Sequence, residues 1–90
     1  MKAAKRFVVR GRVQGVGYRY FAVTCAKALG VAGWVRNTPA GDVEVHAEGE
    51  DKQLQDFAFD LSRGPRYARV SEVDAQDVPL EGHTDFGASH

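Results

Sequence analysis

The sequence predicts an α+β fold of the ferredoxin-like, split βαββαβ kind: an antiparallel sheet with two helices on one face. Three observations carry this. Apolar residues recur at helical spacing in two separate stretches. Runs of alternating apolar and polar residues stand before, between and after them. A tight turn joins the two middle runs, so those strands pair as a hairpin.

The first strand is expected over residues 5–13, with Phe7, Val9, Gly11 and Val13 on one face and Val8, Arg10 and Arg12 on the other. Residues 14–19 form a glycine-rich loop. From Tyr20 to about Gly30 the spacing turns helical, with a stripe of Phe21, Cys25, Ala28 and Leu29 and Gly30 as the stop. Residues 31–37 read as a strand, and Thr38-Pro39-Ala40-Gly41 as a turn. Residues 42–48 alternate strictly. Val43, Val45 and Ala47 are expected inward, and Asp42, Glu44, His46 and Glu48 outward.

The second helix is expected over 50–63, since Leu54, Phe57, Ala58 and Leu61 share a face and Gly64-Pro65 ends it. A fourth strand covers 66–75, where slipped alternation between Val70 and Val73 calls for a bulge. A short fifth strand is expected around Phe86. The second face of the sheet is expected to be open or thinly covered.

The chain has 90 residues, so a single domain over 1–90 is the expectation. Lys+Arg and Asp+Glu both number 12, which argues against a general nucleic-acid binder. One cysteine, Cys25, permits no internal disulfide. The N-terminal MKAAKRFVVR has no long apolar region, so no membrane segment is expected. A cytoplasmic location and a monomer are the defaults.

The informative stretch is Gly11-Arg12-Val13-Gln14-Gly15-Val16-Gly17-Tyr18-Arg19-Tyr20-Phe21. A strand that runs through a glycine loop into a helix presents bare backbone N–H groups at the helix N-terminus, which suit an anion. Gly15 and Gly17 let those groups converge. Arg19 adds a planar fork of donors matched to phosphate or carboxylate oxygens. A plain glycine turn with a surface arginine is the competing reading. The loop is no P-loop, for it lacks Gly-Lys-Ser/Thr.

A second segment, Gly33-Trp34-Val35-Arg36-Asn37, puts Asn37 at a strand end just before a turn. With both motifs together, the chain resembles the acylphosphatase family. In that family G-x-V-Q-G-V-G-F/Y-R-x-F follows the first strand and G-x-V-x-N follows the first helix. The resemblance covers nearly the whole chain in length and element order. It implies an enzyme that hydrolyses the carboxyl–phosphate bond of a small acyl phosphate. The backbone of Gly15, Val16, Gly17, Tyr18 and Arg19 would bind the phosphoryl group with the Arg19 side chain. Asn37 would orient the attacking water.

Such chemistry asks for positioning and charge neutralisation more than for an acid, because the carboxylate leaving group has a conjugate-acid pKa of about 4. No cofactor and no metal are expected. His46, His83 and His90 are scattered along the chain without ligand spacing. His46 reads as a solvated sheet residue and Cys25 as a small core residue. Arg10, Arg12 and Arg36 either raise the potential near the site or form a solvated face. Trp34 is either core or a cover over the open sheet face.

The chain departs from the family pattern in three places. Tyr18 stands where phenylalanine is more usual. The turn after Asn37 reads Ala40-Gly41-Asp42, where the family often has an acid before the glycine. The end, Phe86-Gly87-Ala88-Ser89-His90, is poor in strand formers, so a short or frayed edge strand is expected.

Two rivals remain. The same fold serves RNA-recognition domains, but those stack bases on exposed aromatics, and the strands here offer none. A non-catalytic phosphate or acyl-phosphate binding module would keep the loop without turnover. The presence of both Arg19 and Asn37 favours the enzyme.

Overall fold

The computed structural model describes residues 1–89; His90, one of the three histidines noted above, lies outside them. The elements run β1 (Ala3–Arg12), α1 (Tyr18–Leu29), β2 (Ala32–Asn37), β3 (Val43–Gly49), α2 (Asp51–Arg63), β4 (Arg69–Val78) and β5 (Phe86–Ser89). The sheet order is β4-β1-β3-β2-β5. The pairs β1–β3, β1–β4 and β2–β3 are antiparallel, as the expected fold requires. The ladder slips between Arg10 and Gly11, opposite Ser71, where the alternation of the fourth strand slips. That strand begins three residues later than the sequence suggests and runs on to Val78.

The fifth strand adds itself to the edge of β2 in parallel, Gly33 opposite Phe86 and Arg36 opposite Ser89. Its Gly-Ala-Ser run is a poor strand former, and one residue compensates. Phe86 is buried and meets Phe57 edge-on at 5.6 Å, while Phe57 meets Phe7 in the same way at 6.3 Å. Burying a phenylalanine is worth about 1.5–3 kcal/mol, enough to hold a four-residue strand on its edge.

The core lies between the sheet and the two helices. Phe7, Val9, Val35, Val43, Val45 and Ala47 face Leu54, Phe57 and Leu61 of α2. On α1 the expected stripe is displaced. Its buried residues are Tyr18, Ala22 and Ala26, whereas Phe21, Cys25 and Leu29 are half-buried and Ala28 is exposed. The helix includes Tyr18, whose buried ring reaches the Leu61 carbonyl, so the row Tyr18, Ala22, Ala26 turns inward and the row of Phe21 and Cys25 lies at its flank.

Gly33 shows why a glycine follows Ala32 in β2. Its φ is +137°, and a Cβ there would stand 1.8 Å from the His46 carbonyl oxygen, so no side chain fits between β2 and β3. Among the described residues, no helix is long and apolar enough to cross a membrane.

The second face of the sheet differs from expectation. Glu44, His46 and Glu48 point away from the helices, yet all three are buried. The β4–β5 connection folds over this face, and the Glu48 carboxylate accepts backbone N–H bonds from Glu81 at 2.6 Å and His83 at 3.1 Å. Trp34 covers it as well, stacked on the His46 ring at 5.9 Å. His46 is therefore not a solvated sheet residue; it is 4% exposed.

Candidate active site

The loop between β1 and α1 turns on two glycines with left-handed backbone, Gly15 (φ 72°) and Gly17 (φ 79°). Neither would meet an obstacle at Cβ, so it is the dihedral that selects glycine at these positions. Gly17 is also the N-cap of α1. It brings no side-chain cap, and the first turn of the helix holds no acidic residue. The first N–H groups of a helix have no intrahelical partner, so these donors face the loop together with the positive end of the helix dipole.

An open cavity of about 610 Å³ lies over this turn. Gly15, Gly17, Tyr18 and Arg19 line it, and so does Asn37 from the end of β2. Residues 22 to 18 positions apart in the chain thus share one concavity. Val16 turns its side chain to the core instead, which leaves only its backbone for the loop. Phe86, Gly87 and Ala88 of β5 form another wall. The Arg19 side chain is half-buried, and its Nη1 donates to the Ser89 carbonyl at 3.3 Å, which holds the guanidinium at the cavity edge.

Tyr18 lines the cavity but sends its ring inward. Its hydroxyl donates to the Leu61 carbonyl at 2.5 Å. That carbonyl lies in the last turn of α2, and the residue four positions on is Pro65, which has no N–H to offer. The tyrosine hydroxyl supplies the missing donor, where a phenylalanine would leave the carbonyl bare. Burial pushes the Tyr18 phenol well above its usual range, so it stays a hydroxyl.

Gln14, to which the sequence reading gave no role, bridges the loop and the turn after β2. Its Nε2 donates to the carbonyls of Thr38 at 2.9 Å and Asp42 at 2.8 Å. The turn is closed by its own bonds, Thr38 N–H to Asp42 O at 2.9 Å and Asp42 N–H to Thr38 Oγ1 at 3.2 Å. The glutamine therefore ties the loop to the turn that follows Asn37. The available signal was a lone amide side chain between a strand and two glycines.

Arg10 and Arg36 are committed elsewhere. Arg10 pairs with Asp74, Glu72 and Asp42, and Arg36 with Glu44. Neither they nor Arg12 line the cavity. Lys27 of α1 does, and it adds a second positive charge to that rim. Cys25 is no nucleophile: burial and the neighbouring Asp60 carboxylate push its thiol up to about 11. His46 and His83, distant in sequence, come together beside Glu48 and Glu81 on the opposite face of the sheet from the helices.

Comparison with known proteins agrees with this architecture. A family model described as acylphosphatase matches residues 5–88. The acylphosphatase of Methanothrix thermoacetophila is 49% identical over 86 residues, covering 96% of each chain. That of Bifidobacterium longum is 49% identical over 80 residues, 89% of this chain and 82% of its own. The crystal structure of the acylphosphatase from Bacillus subtilis superposes with a TM-score of 0.95 at 38% identity, with all of both chains covered. The chain belongs to the acylphosphatase family of enzymes.

Proposed function

We propose that the chain hydrolyses acyl phosphates at the cavity over the Gly15–Arg19 loop, with Arg19 and Asn37 in separate roles. The observation that carries this is the meeting of Arg19 and Asn37 on one cavity, at the N-terminus of a helix whose first turn brings no acidic residue.

In this mechanism the phosphoryl oxygens take the free N–H groups of residues 15–19 and the Arg19 guanidinium. Those donors neutralise charge that spreads over the equatorial oxygens as the carboxyl–phosphate bond loosens. Asn37 cannot act as a base. Its amide holds a water in line with that bond, which turns the attack into a reaction between positioned partners. The water's oxygen bonds to phosphorus, the carboxylate leaves with the bonding pair, and a phosphoryl oxygen takes the water's proton. The carboxylate departs without a general acid, because its conjugate acid is strong.

All the groups required come from this chain, so residues 1–90 act as one domain and one copy. The acyl group lies toward the open side of the cavity, where Tyr20 and Val23 offer apolar contact.

The test is benzoyl phosphate hydrolysis near neutral pH with excess chelator. Wild type should turn over. Arg19→Ala should lose both turnover and inhibition by inorganic phosphate. Asn37→Ala should lose kcat by about 100-fold or more and keep phosphate inhibition. Equal loss of phosphate binding in both variants would overturn the separate roles. A folded wild type that binds phosphate without turnover would make the loop a receptor.

A further inference from the structure

We propose that His46, Glu48, Glu81 and His83 form a second site, on the far face of the sheet from the helices, that binds one divalent transition ion of the zinc class. The ion would tie the β4–β5 connection to β3.

Each of the four residues offers one ligand atom, and those atoms all lie within 4.8 Å of one another. His46 Nε2 is 2.7 Å from Glu48 Oε2 and 3.6 Å from Glu81 Oε1, and His83 Nε2 is 2.7 Å from Glu81 Oε1. A tetrahedral ion with bonds of about 2.0–2.1 Å needs donors roughly 3.3 Å apart. These three distances straddle that figure and no donor pair exceeds 4.8 Å, so side-chain shifts of at most about 1.5 Å would close a shell of two imidazole nitrogens and two carboxylate oxygens. That donor set suits zinc better than magnesium or calcium, which prefer oxygen alone.

The groups around the four donors already hold them in place. Both Glu48 oxygens accept backbone N–H bonds, Oε2 from Glu81 and Oε1 from His83, and the second lone pair of Oε2 faces His46 Nε2. The indole N–H of Trp34 donates to Glu81 Oε1 at 3.4 Å, and its ring stacks on His46. Contacts of this kind orient metal ligands and raise their affinity.

Charge points the same way. His46 and Glu48 are 4% and 1% exposed, and Arg36, whose guanidinium lies over the Trp34 ring, is engaged by Glu44. Two carboxylates stand there with two imidazoles and no arginine or lysine among their ion-pair partners in the described residues. A divalent cation would neutralise the pair, displacing any proton shared between the histidines and glutamates.

Two of the four donors sit on β3 and two on the connection that leads into β5, so a bound ion would fasten β5 without entering the phosphate cavity. The test uses the untagged full chain, stripped with chelator and titrated with zinc or cobalt ions. Wild type should bind one equivalent. Cobalt should develop the visible absorption of a low-coordinate ion. The melting temperature should rise by about 10–20 °C at a zinc concentration near 100 times Kd. His83→Ala and Glu81→Gln, both on the surface connection, should each lose at least tenfold in zinc affinity and lose the cobalt band. Benzoyl phosphate turnover in chelator should be the same in all three. Absence of any zinc-dependent shift in the wild type, or an equal shift in both variants, would overturn the proposal.

Discussion

Gln14 donates from Nε2 to the Thr38 carbonyl at 2.9 Å, and so joins the glycine loop to the residue that follows Asn37. The same nitrogen reaches the Asp42 carbonyl at the far end of the turn. One side chain thereby sets the distance between the two halves of the proposed site, the phosphoryl cradle on one side and the water-holding amide on the other.

Gln14→Ala should therefore lower kcat without touching substrate directly. A displacement of about 1 Å in a positioned group costs up to 100-fold, and a loss of roughly tenfold or more is expected here. Steady-state kinetics with phosphate as inhibitor provide the check. Phosphate inhibition should change much less than kcat. A parallel loss of both would show that Gln14 holds the loop itself and not the turn bearing Asn37.

Tyr18→Phe removes a hydroxyl buried against Leu61, with Pro65 unable to replace it. An unpaired buried carbonyl costs about 1–3 kcal/mol. In a domain of this size, a melting temperature lower by roughly 4–24 °C should follow. The aromatic ring remains in the core, so kcat should stay near wild type. Calorimetry beside the hydrolysis assay measures both, and an unchanged melting temperature would mean that the Leu61 carbonyl finds water instead.

Glu44 sits between two guanidinium groups, with Arg6 Nε at 2.5 Å and Arg36 Nε at 2.6 Å. Burial by itself would raise this carboxyl, but the bonds from Arg6 and Arg36 outweigh it and hold the group below its ordinary value of 4.5. A folded-state pKa below the unfolded one gives stability that is fully present above the unfolded value. It is lost as pH falls through the folded one. Urea midpoints near neutrality and at about pH 3 should show the loss in wild type. Glu44→Gln should flatten this part of the profile, and an unaltered slope would assign the acid sensitivity to other carboxylates.

Local pattern made much of this protein readable from its residues. Strict alternation over 43–47, helical spacing over 54–61 and the glycines at 15 and 17 are short-range signals, each requiring only a few neighbouring residues to agree. They determined the order of the elements and the place of the loop. The paired motifs, with Arg19 in one and Asn37 in the other, named the residues that now line one cavity.

What depended on distant parts of the chain had no local trace. Alternation assigns Glu44, His46 and Glu48 to the face away from the helices, but whether that face meets water is settled by residues about 35 positions further on. The buried row of α1 runs through Tyr18, Ala22 and Ala26 because the tyrosine is anchored inward, and its partner is a carbonyl 43 residues away. The weak Gly-Ala-Ser run becomes a strand because Phe86 finds Phe57 in the core, a contact worth more than the strand propensity it offsets. Periodicity in a chain specifies which way a side chain points. Only the closed tertiary structure decides what it meets there, because burial and pairing are properties of two segments and the sequence presents them one at a time.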